Sequence, residues 1–220
     1  MTLQWFGQSF FRVETQGKVI AIDPFSPDPW VGIPKPPRFR ADLVLVTHAH
    51  DDHNNAGAIE GEPLVFCGPG EYETRGIFIE GVSSFHDASS GKERGANTIF
   101  VIETEGMRLI HMGDFGEARL SEAQLEKTGG ADILLIPVGG TFTIDGKQAA
   151  AITNRIEPKV VIPMHFKVGD LKLRIDGPEL FLKELGVKPV SEEKLSVRTK
   201  DLPQEKTEVH LLRATSFEKQ

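Results

Sequence analysis

Val46-Thr47-His48-Ala49-His50-Asp51-Asp52-His53-Asn54-Asn55 stands where the aliphatic run Leu43 to Thr47 gives out. Three of the chain's seven histidines fall within six positions there, in company with carboxylates. On an extended backbone residues two apart project to one side, so His48 and His50 can both reach one metal ion. Asp52 and His53 come after the turn and can point at a second. This is not the i, i+4 spacing of a zinc-binding helix, so the scaffold is a loop at a strand end. A polar turn whose histidines cap a helix or sit in solvent explains one such residue, but not the cluster.

Further donors lie where other apolar runs stop. Val82-Ser83-Ser84-Phe85 leads to His86, Leu109-Ile110-His111-Met112-Gly113 leads to Asp114, and Val160-Val161-Ile162-Pro163-Met164 leads to His165. Each alone reads as a surface turn, a helix cap or a packed core histidine. Several strands delivering His or Asp at one edge read instead as a shared site between sheet ends. Strand alternation sets His111 on the face opposite Met112 and Asp114 unless Gly113 bends the chain, so His111 is expected to be structural. His210, far from any cluster, is expected to be structural as well.

The rest of the chain supplies the frame. Strands are predicted over Leu3–Phe6, Phe10–Glu14, Val19–Ile22 and Leu43–Thr47, the first ones as an antiparallel meander turning at Gln16-Gly17. Six prolines between Pro24 and Pro37 forbid a central strand or helix, leaving a long loop of the kind that often carries function. Further strands are predicted at Ile77–Glu80, Thr98–Glu103 and Arg108–His111. Ser121 with Gln124 and Asp145 with Gln148 form capping boxes for two helices, and a third starts at Pro178 and stops at Gly186. Ala41-Asp42-Leu43-Val44-Leu45-Val46 is echoed by Ala131-Asp132-Ile133-Leu134-Leu135-Ile136. Both read as strands buried on two faces, with helices expected to cover the sheets. Val209–Leu212 reads as a final edge strand before a frayed tail.

Composition narrows the class. A chain of 220 residues with 39% hydrophobic and 26% charged side chains can bury one sizeable core, and no linker divides it, so residues 1–220 are expected to form a single domain. No apolar run approaches the roughly 18 residues of a membrane span, and Met1-Thr2-Leu3-Gln4-Trp5 lacks the features of a signal peptide. A cytoplasmic protein is expected. The lone Cys67 cannot form an internal disulfide and is expected in the core after Leu64-Val65-Phe66. The net charge of −7 speaks against tracking a nucleic-acid backbone and for a small-molecule partner; it leaves the oligomeric state open.

His48-Ala49-His50-Asp51-Asp52-His53 matches the His-x-His-x-Asp-His signature of the metallo-β-lactamase-fold hydrolases, and His86, Asp114 and His165 fall in that family's order. The resemblance covers nearly the whole chain. Gly68-Pro69-Gly70-Glu71-Tyr72 and Ile136-Pro137-Val138-Gly139-Gly140 are similar to the branch related to L-ascorbate-6-phosphate lactonase. The resemblance implies an α/β (α+β) fold, a four-layer αββα sandwich with a dinuclear metal site at the sheet edges. It assigns His48, His50 and His86 to one metal, Asp52, His53 and His165 to the other, and Asp114 to the bridge. It makes Asp23, in Ile22-Asp23-Pro24, a residue that orients a ligand histidine without touching metal.

Departures from relatives refine this. His50 stands where oxygen-reducing diiron relatives carry Glu, favouring hydrolysis over redox chemistry. Asp114 stands where dinuclear β-lactamases carry Cys, so antibiotic cleavage is not expected. The chain has no room for the domain that RNA-cleaving relatives insert, and the lactonase itself is longer. The expected activity is metal-dependent hydrolysis of an ester, lactone or phosphoester bond in a small, anionic metabolite. The nucleophile would be a hydroxide bridging two divalent ions, zinc first and manganese next. Asp52 and Asp114 are the catalytic candidates, Asp52 as proton acceptor. Lys92, Arg94 and Lys167 follow ligands closely enough to hold an anionic group, while Gly140 and Thr141, in the loop after a buried strand, are expected at the pocket mouth. A phosphodiesterase or nuclease on the same metals, and a non-enzymatic metal-binding interaction domain, are the alternative readings.

Overall fold

The computed structural model describes residues 1–217. Its first strands are β1 (Thr2–Gly7), β2 (Phe10–Thr15), β3 (Lys18–Ile22), β4 (Leu43–Val46) and β5 (Leu64–Cys67). They are followed by β6 (Gly70–Thr74), β7 (Ile77–Phe85), β8 (Ala96–Thr104) and β9 (Met107–His111). Helix α1 (Glu122–Thr128), β10 (Ile133–Pro137), α2 (Gly146–Ile156), β11 (Val160–Met164) and α3 (Glu179–Leu185) come next. The short β12 (Val190–Glu192) and β13 (Lys194–Ser196) precede β14 (Glu208–Leu212). A six-stranded sheet has the order β13-β1-β2-β3-β4-β5 and an eight-stranded sheet the order β12-β14-β11-β10-β9-β8-β7-β6.

Strand direction decides where the chemistry gathers. The pairs β1/β2 and β2/β3 are antiparallel, and β3/β4 and β4/β5 parallel, so β1, β3, β4 and β5 all point the same way. In the other sheet β7/β8 and β8/β9 are antiparallel, and β9/β10 and β10/β11 parallel, so β7, β9, β10 and β11 share a direction too. The carboxyl ends of these strands release Gln8, Asp23 and His48 from one sheet, and His86, Asp114 and His165 from the other. Backbone bonds from His165 N to Gln8 O at 3.0 Å and from Thr98 N to Thr47 O at 3.0 Å tie the two edges together.

Between the sheets lies a core that includes Leu3, Trp5, Phe11, Leu45, Phe100 and Leu135. Strands β4 and β10 are buried along their whole length. Both expected capping boxes are present: Ser121 Oγ accepts from Gln124 N and Asp145 Oδ1 from Gln148 N, each with the reciprocal bond. Helices α1 and α2 pack on the eight-stranded sheet, and α3 packs on α2. No helix among the described residues is long and apolar enough to cross a membrane.

Four expectations need correction. The outer face of the six-stranded sheet is covered by loops rather than by α-helix: Phe25 and Ile33 of the proline-rich loop and Leu171 and Ile175 of a later one pack on Phe10, Val44 and Val46. Six prolines remove the donors that a regular i→i−4 ladder would need there, while the loop's apolar side chains still bury this face of the sheet. Strand β14 is not an edge, because it pairs in parallel with both β11 and β12. The polar three-residue β12 takes the edge instead, which limits edge-to-edge pairing. The tail is helical over Thr215–Phe217, and the remainder of the expected frayed end lies outside the described residues. Cys67 is exposed, since β5 is the edge strand of its sheet and Leu64 and Val65 beside it are themselves 53% and 47% exposed.

Candidate metal centre

The loop after β4 is a tight turn, closed by His53 N and Asn54 N donating to His50 O at 2.9 and 3.0 Å. It is docked on the proline-rich loop by Ser26 N to Asp51 O at 2.8 Å and Asn55 N to Pro24 O at 2.7 Å. The ring centroids of His48, His50 and His86 form a triangle with sides of 4.7, 4.7 and 5.1 Å. On the other side His53 and His165 stack 6.0 Å apart. Three groups of side chains bring donor atoms within 4.8 Å of one another: His48 with His50 and His86, Asp52 with His53 and His165, and His48 with His53 and Asp114.

Asp114 is the hub. Its Oδ2 lies 3.2 Å from Nε2 of each of His53, His86 and His165. Its Oδ1 accepts from Ser9 Oγ at 3.1 Å, so the two oxygens have separate duties. Asp114 N donates to Asn97 Oδ1 at 3.0 Å. The chain reaches this place because Gly113 takes a left-handed conformation at φ 56°, where a Cβ would stand 2.4 Å from Asn97 Oδ1.

Asp23 organises the first sheet's contribution. Its Oδ1 accepts from Thr47 N at 2.8 Å, and its Oδ2 from Thr47 Oγ1 at 2.6 Å and from His53 Nδ1 at 2.9 Å. Thr47 has one hydroxyl proton and gives it to Asp23, so the 3.0 Å contact to His48 Nδ1 makes the imidazole the donor. His48 therefore carries its proton on Nδ1 and turns a bare Nε2 into the cluster, where it is buried with no hydrogen-bond partner among the described residues. Burial, helped by neighbouring histidines, pushes the His48 pKa down to about 2, so the ring is neutral. Burial opposes charge on His53 too, but Asp114, Asp52 and Asp23 outweigh it and raise its pKa well above the ordinary value. The carboxylates thus call for positive charge at this point, whether a proton or a cation supplies it.

His111 stays out of the cluster. Gly113 N donates to its Nδ1 at 3.1 Å, which leaves Nε2 as the protonated nitrogen, donating to Ser9 O at 2.9 Å. Neither nitrogen has a lone pair left for a metal. His210 is remote, with Nδ1 on Glu192 Oε1 at 2.5 Å.

Above the cluster opens a cleft of about 490 Å³, walled by Pro27, Val31 and Ile33 of the proline-rich loop and by Phe142 and Leu173, with Arg94 at its side. Of the side chains expected to hold an anion, only Arg94 lines it. Lys92 is exposed away from it, and Lys167 turns to Leu173 O at 3.1 Å. Gly140 is buried below the mouth and Thr141 bonds Arg174 O at 2.7 Å, so Phe142 is the residue of that loop that reaches the cleft. Gln8, Ser9, Thr47 and Asn97 were not legible as site residues, because each serves through a contact with a residue distant in the chain: Gln8 and Ser9 reach the other sheet, Thr47 reaches Asp23 on the neighbouring strand end, and Asn97 reaches Asp114. The one available signal was position: Gln8 and Ser9 follow β1 as His48 follows β4.

A family model described as a beta-lactamase superfamily domain matches residues 2–165, the span that holds the whole cluster. The UPF0173 metal-dependent hydrolase of Pyrococcus abyssi is 32% identical over 211 residues, 84% of this chain and 92% of that protein. The chain belongs to the UPF0173 metal-dependent hydrolases of the beta-lactamase superfamily. This hydrolase is also 33% identical to its Thermoplasma acidophilum relative over 202 residues, 80% of this chain and 87% of that one. A crystal structure from Thermotoga maritima, described as a candidate zinc-dependent hydrolase of the metallo-beta-lactamase superfamily, matches with a TM-score of 0.78 and 35% identity. That match covers 96% of this chain and 99% of the other. The mixed α/β architecture of this UPF0173 hydrolase is the metallo-β-lactamase fold.

Proposed function

We propose that this hydrolase holds two divalent ions, His48, His50 and His86 around one, Asp52, His53 and His165 around the other, and Asp114 Oδ2 between them. The observation that carries this is the single oxygen 3.2 Å from three imidazole nitrogens on two sides. The residues fit such a pair: the donors are imidazole and carboxylate, which suit zinc first and manganese next, and His48 offers an unpartnered buried Nε2. When bound, two such ions supply an acidified water and a Lewis acid for an electron-rich substrate oxygen.

The chain's own residues set up that chemistry. Asp23 and Thr47 lock the ring orientation of His53 and His48, and Ser9 holds the outer oxygen of Asp114 so that the inner one faces the histidines. Asp52 receives Gln8 Nε2 at 3.4 Å and lines the cleft, which makes it the side chain placed to take a proton from the attacking water. The cleft's size suits a small metabolite, in our reading a cytoplasmic one, and Arg94 suits an anionic group on it. An ester, lactone or phosphoester is the bond proposed. The lactone is kept on the likeness of Gly68–Tyr72 and Ile136–Gly140 to the lactonase-related branch. Asp28 and Asp51 in the cleft wall are the reverse of the basic track a polynucleotide needs.

The test is elemental analysis of protein reconstituted with zinc or manganese, followed by a panel of lactones, phosphoesters and thioesters. About two ions per chain and turnover of one class are expected. Protein that binds no metal, or turnover that is equal with and without metal, would sink the proposal.

A further inference from the structure

A second hollow, of about 440 Å³, lies on the far side of His50 and Arg94 from the cleft. Val46, Ala49, Cys67, Pro69 and Ala96 are among its walls, and His50 and Arg94 line both spaces, so the two adjoin at these side chains. It is built where β4 and β5 end and β8 begins, near the metal cluster. Its walls are mainly apolar, which the chemistry of the cluster does not require.

Arg94 stands at the junction by construction. Asp87, 3% exposed, gathers four backbone N–H groups with its carboxylate: Ser89 at 2.8 Å and Gly91 at 2.9 Å on Oδ1, Glu93 at 3.0 Å and Arg94 at 2.8 Å on Oδ2. That staple fixes the loop between β7 and β8 and makes Asp87 a positioning residue for Arg94. The guanidinium then lies over the Phe142 ring, 5.6 Å from its centroid. Its carboxylate neighbour is Glu93 at 3.7 Å, an exposed and adjacent residue, so the fork of donors is free to take another anion.

We propose that the substrate is a two-armed anion: Arg94 holds its carboxylate or phosphate at the junction, and an apolar acyl or aryl arm lies in the hollow beside Cys67. This rests on the hydrolase reading above and names the substrate class of the same site. A purely polar metabolite would leave the hollow's walls in water. An uncharged ester would leave the guanidinium with the exposed Glu93 as its anionic neighbour and its remaining donors unused.

Cys67, the chain's one cysteine, lies exposed in the wall of the hollow and reports on it directly. The zinc-reconstituted protein is alkylated with iodoacetamide in the presence of octanoate, octanamide or acetate, and metal content is measured on the same samples. Octanoate is expected to slow alkylation at least about tenfold, as burial of a few methylene groups would give, whereas acetate and octanamide leave the rate nearly unchanged. Arg94→Ala is expected to abolish the octanoate effect. Equal protection by octanoate and octanamide, protection that survives Arg94→Ala, or no protection at all would each overturn the inference. Because the comparison of the three probes needs no variant, it stands even if Arg94→Ala folds poorly. Absence of bound metal would count against the proposed metal centre, while the protection ratios still judge the hollow.

Discussion

Ala41-Asp42 leads into β4 and Ala131-Asp132 into β10, and both aspartates do the same work. Asp42 accepts Lys18 Nζ at 2.8 Å and Val19 N at 3.0 Å; Asp132 accepts Lys159 Nζ at 2.7 Å and Arg108 N at 2.8 Å. Each strand then runs fully buried between neighbours, one in each sheet. The exits differ. After β4 the chain delivers His48, His50, Asp52 and His53; after β10 it delivers Val138 and Gly139, where a Cβ would stand 2.2 Å from His165 O. One exit contributes donors and the other contributes space, which lets the neighbouring strand's His165, itself at a left-handed φ of 49°, come in. The strand pattern decides where an exit lies, and the residues just beyond it decide what the exit does.

The largest effect is expected where both exits converge, at Asp114. Asp114→Ala should cost the metals and lower any hydrolysis by more than about a hundredfold, whereas His111→Ala should retain both ions. Parallel metal titrations decide between them, and the reverse ranking would remove Asp114 from the hub. Gly139→Ala should come next, because the added methyl displaces His165 while leaving the His48, His50 and His86 triangle alone. A drop from about two ions toward one per chain, read by elemental analysis, is expected. Thr47→Val removes the hydroxyl between Asp23 and His48 and should weaken metal binding by about 10–100-fold in a competition assay with a chelator.

Smaller still are the effects at the strand entrances. Asp132→Ala, at the better-buried entrance, should lower stability by about 1–3 kcal/mol in urea titration. Asp42→Ala should lower it by about 1 kcal/mol or less, since solvent screens its ion pair. The Lys18 hydrogen bond, with the Val19 amide, holds the Asp42 pKa below its ordinary value. A carboxylate depressed in the folded state contributes stability that is fully present above the unfolded pKa, near 4, and is lost as pH falls through the folded value. Thermal melts of the wild type should therefore fall more steeply below about pH 4 than those of Asp42→Asn. Identical pH profiles would show that this entrance does not contribute to stability through its charge.

Apolar periodicity and capping residues were enough to read β1 to β4 and the three helices, because those signals act within a few residues. The seven proposed ligands were nameable for a related reason: each stands directly after an apolar run, and a metal site needs donor types that few other roles collect at such positions. The sequence could not say which loop charges face the cleft. Lys92, Arg94 and Lys167 all follow a ligand within a few residues, but in the loop that Asp87 fixes only Arg94 lines the cleft. Nor could it show that Cys67 is exposed, that β14 lies inside its sheet, or that loops cover the first sheet. Those outcomes depend on which strand becomes an edge and which segment lands on an open face. Gln8 and Ser9 became legible only when two sheet edges met, and Thr47 only when β3 and β4 paired, since a hydrogen bond between residues as far apart in the chain as Ser9 and Asp114 leaves no local pattern. Local signals placed the donors at strand ends; the shared direction of β1, β3 and β4 in one sheet and of β7, β9 and β11 in the other, with the two edges joined by backbone bonds, brought those ends to one place.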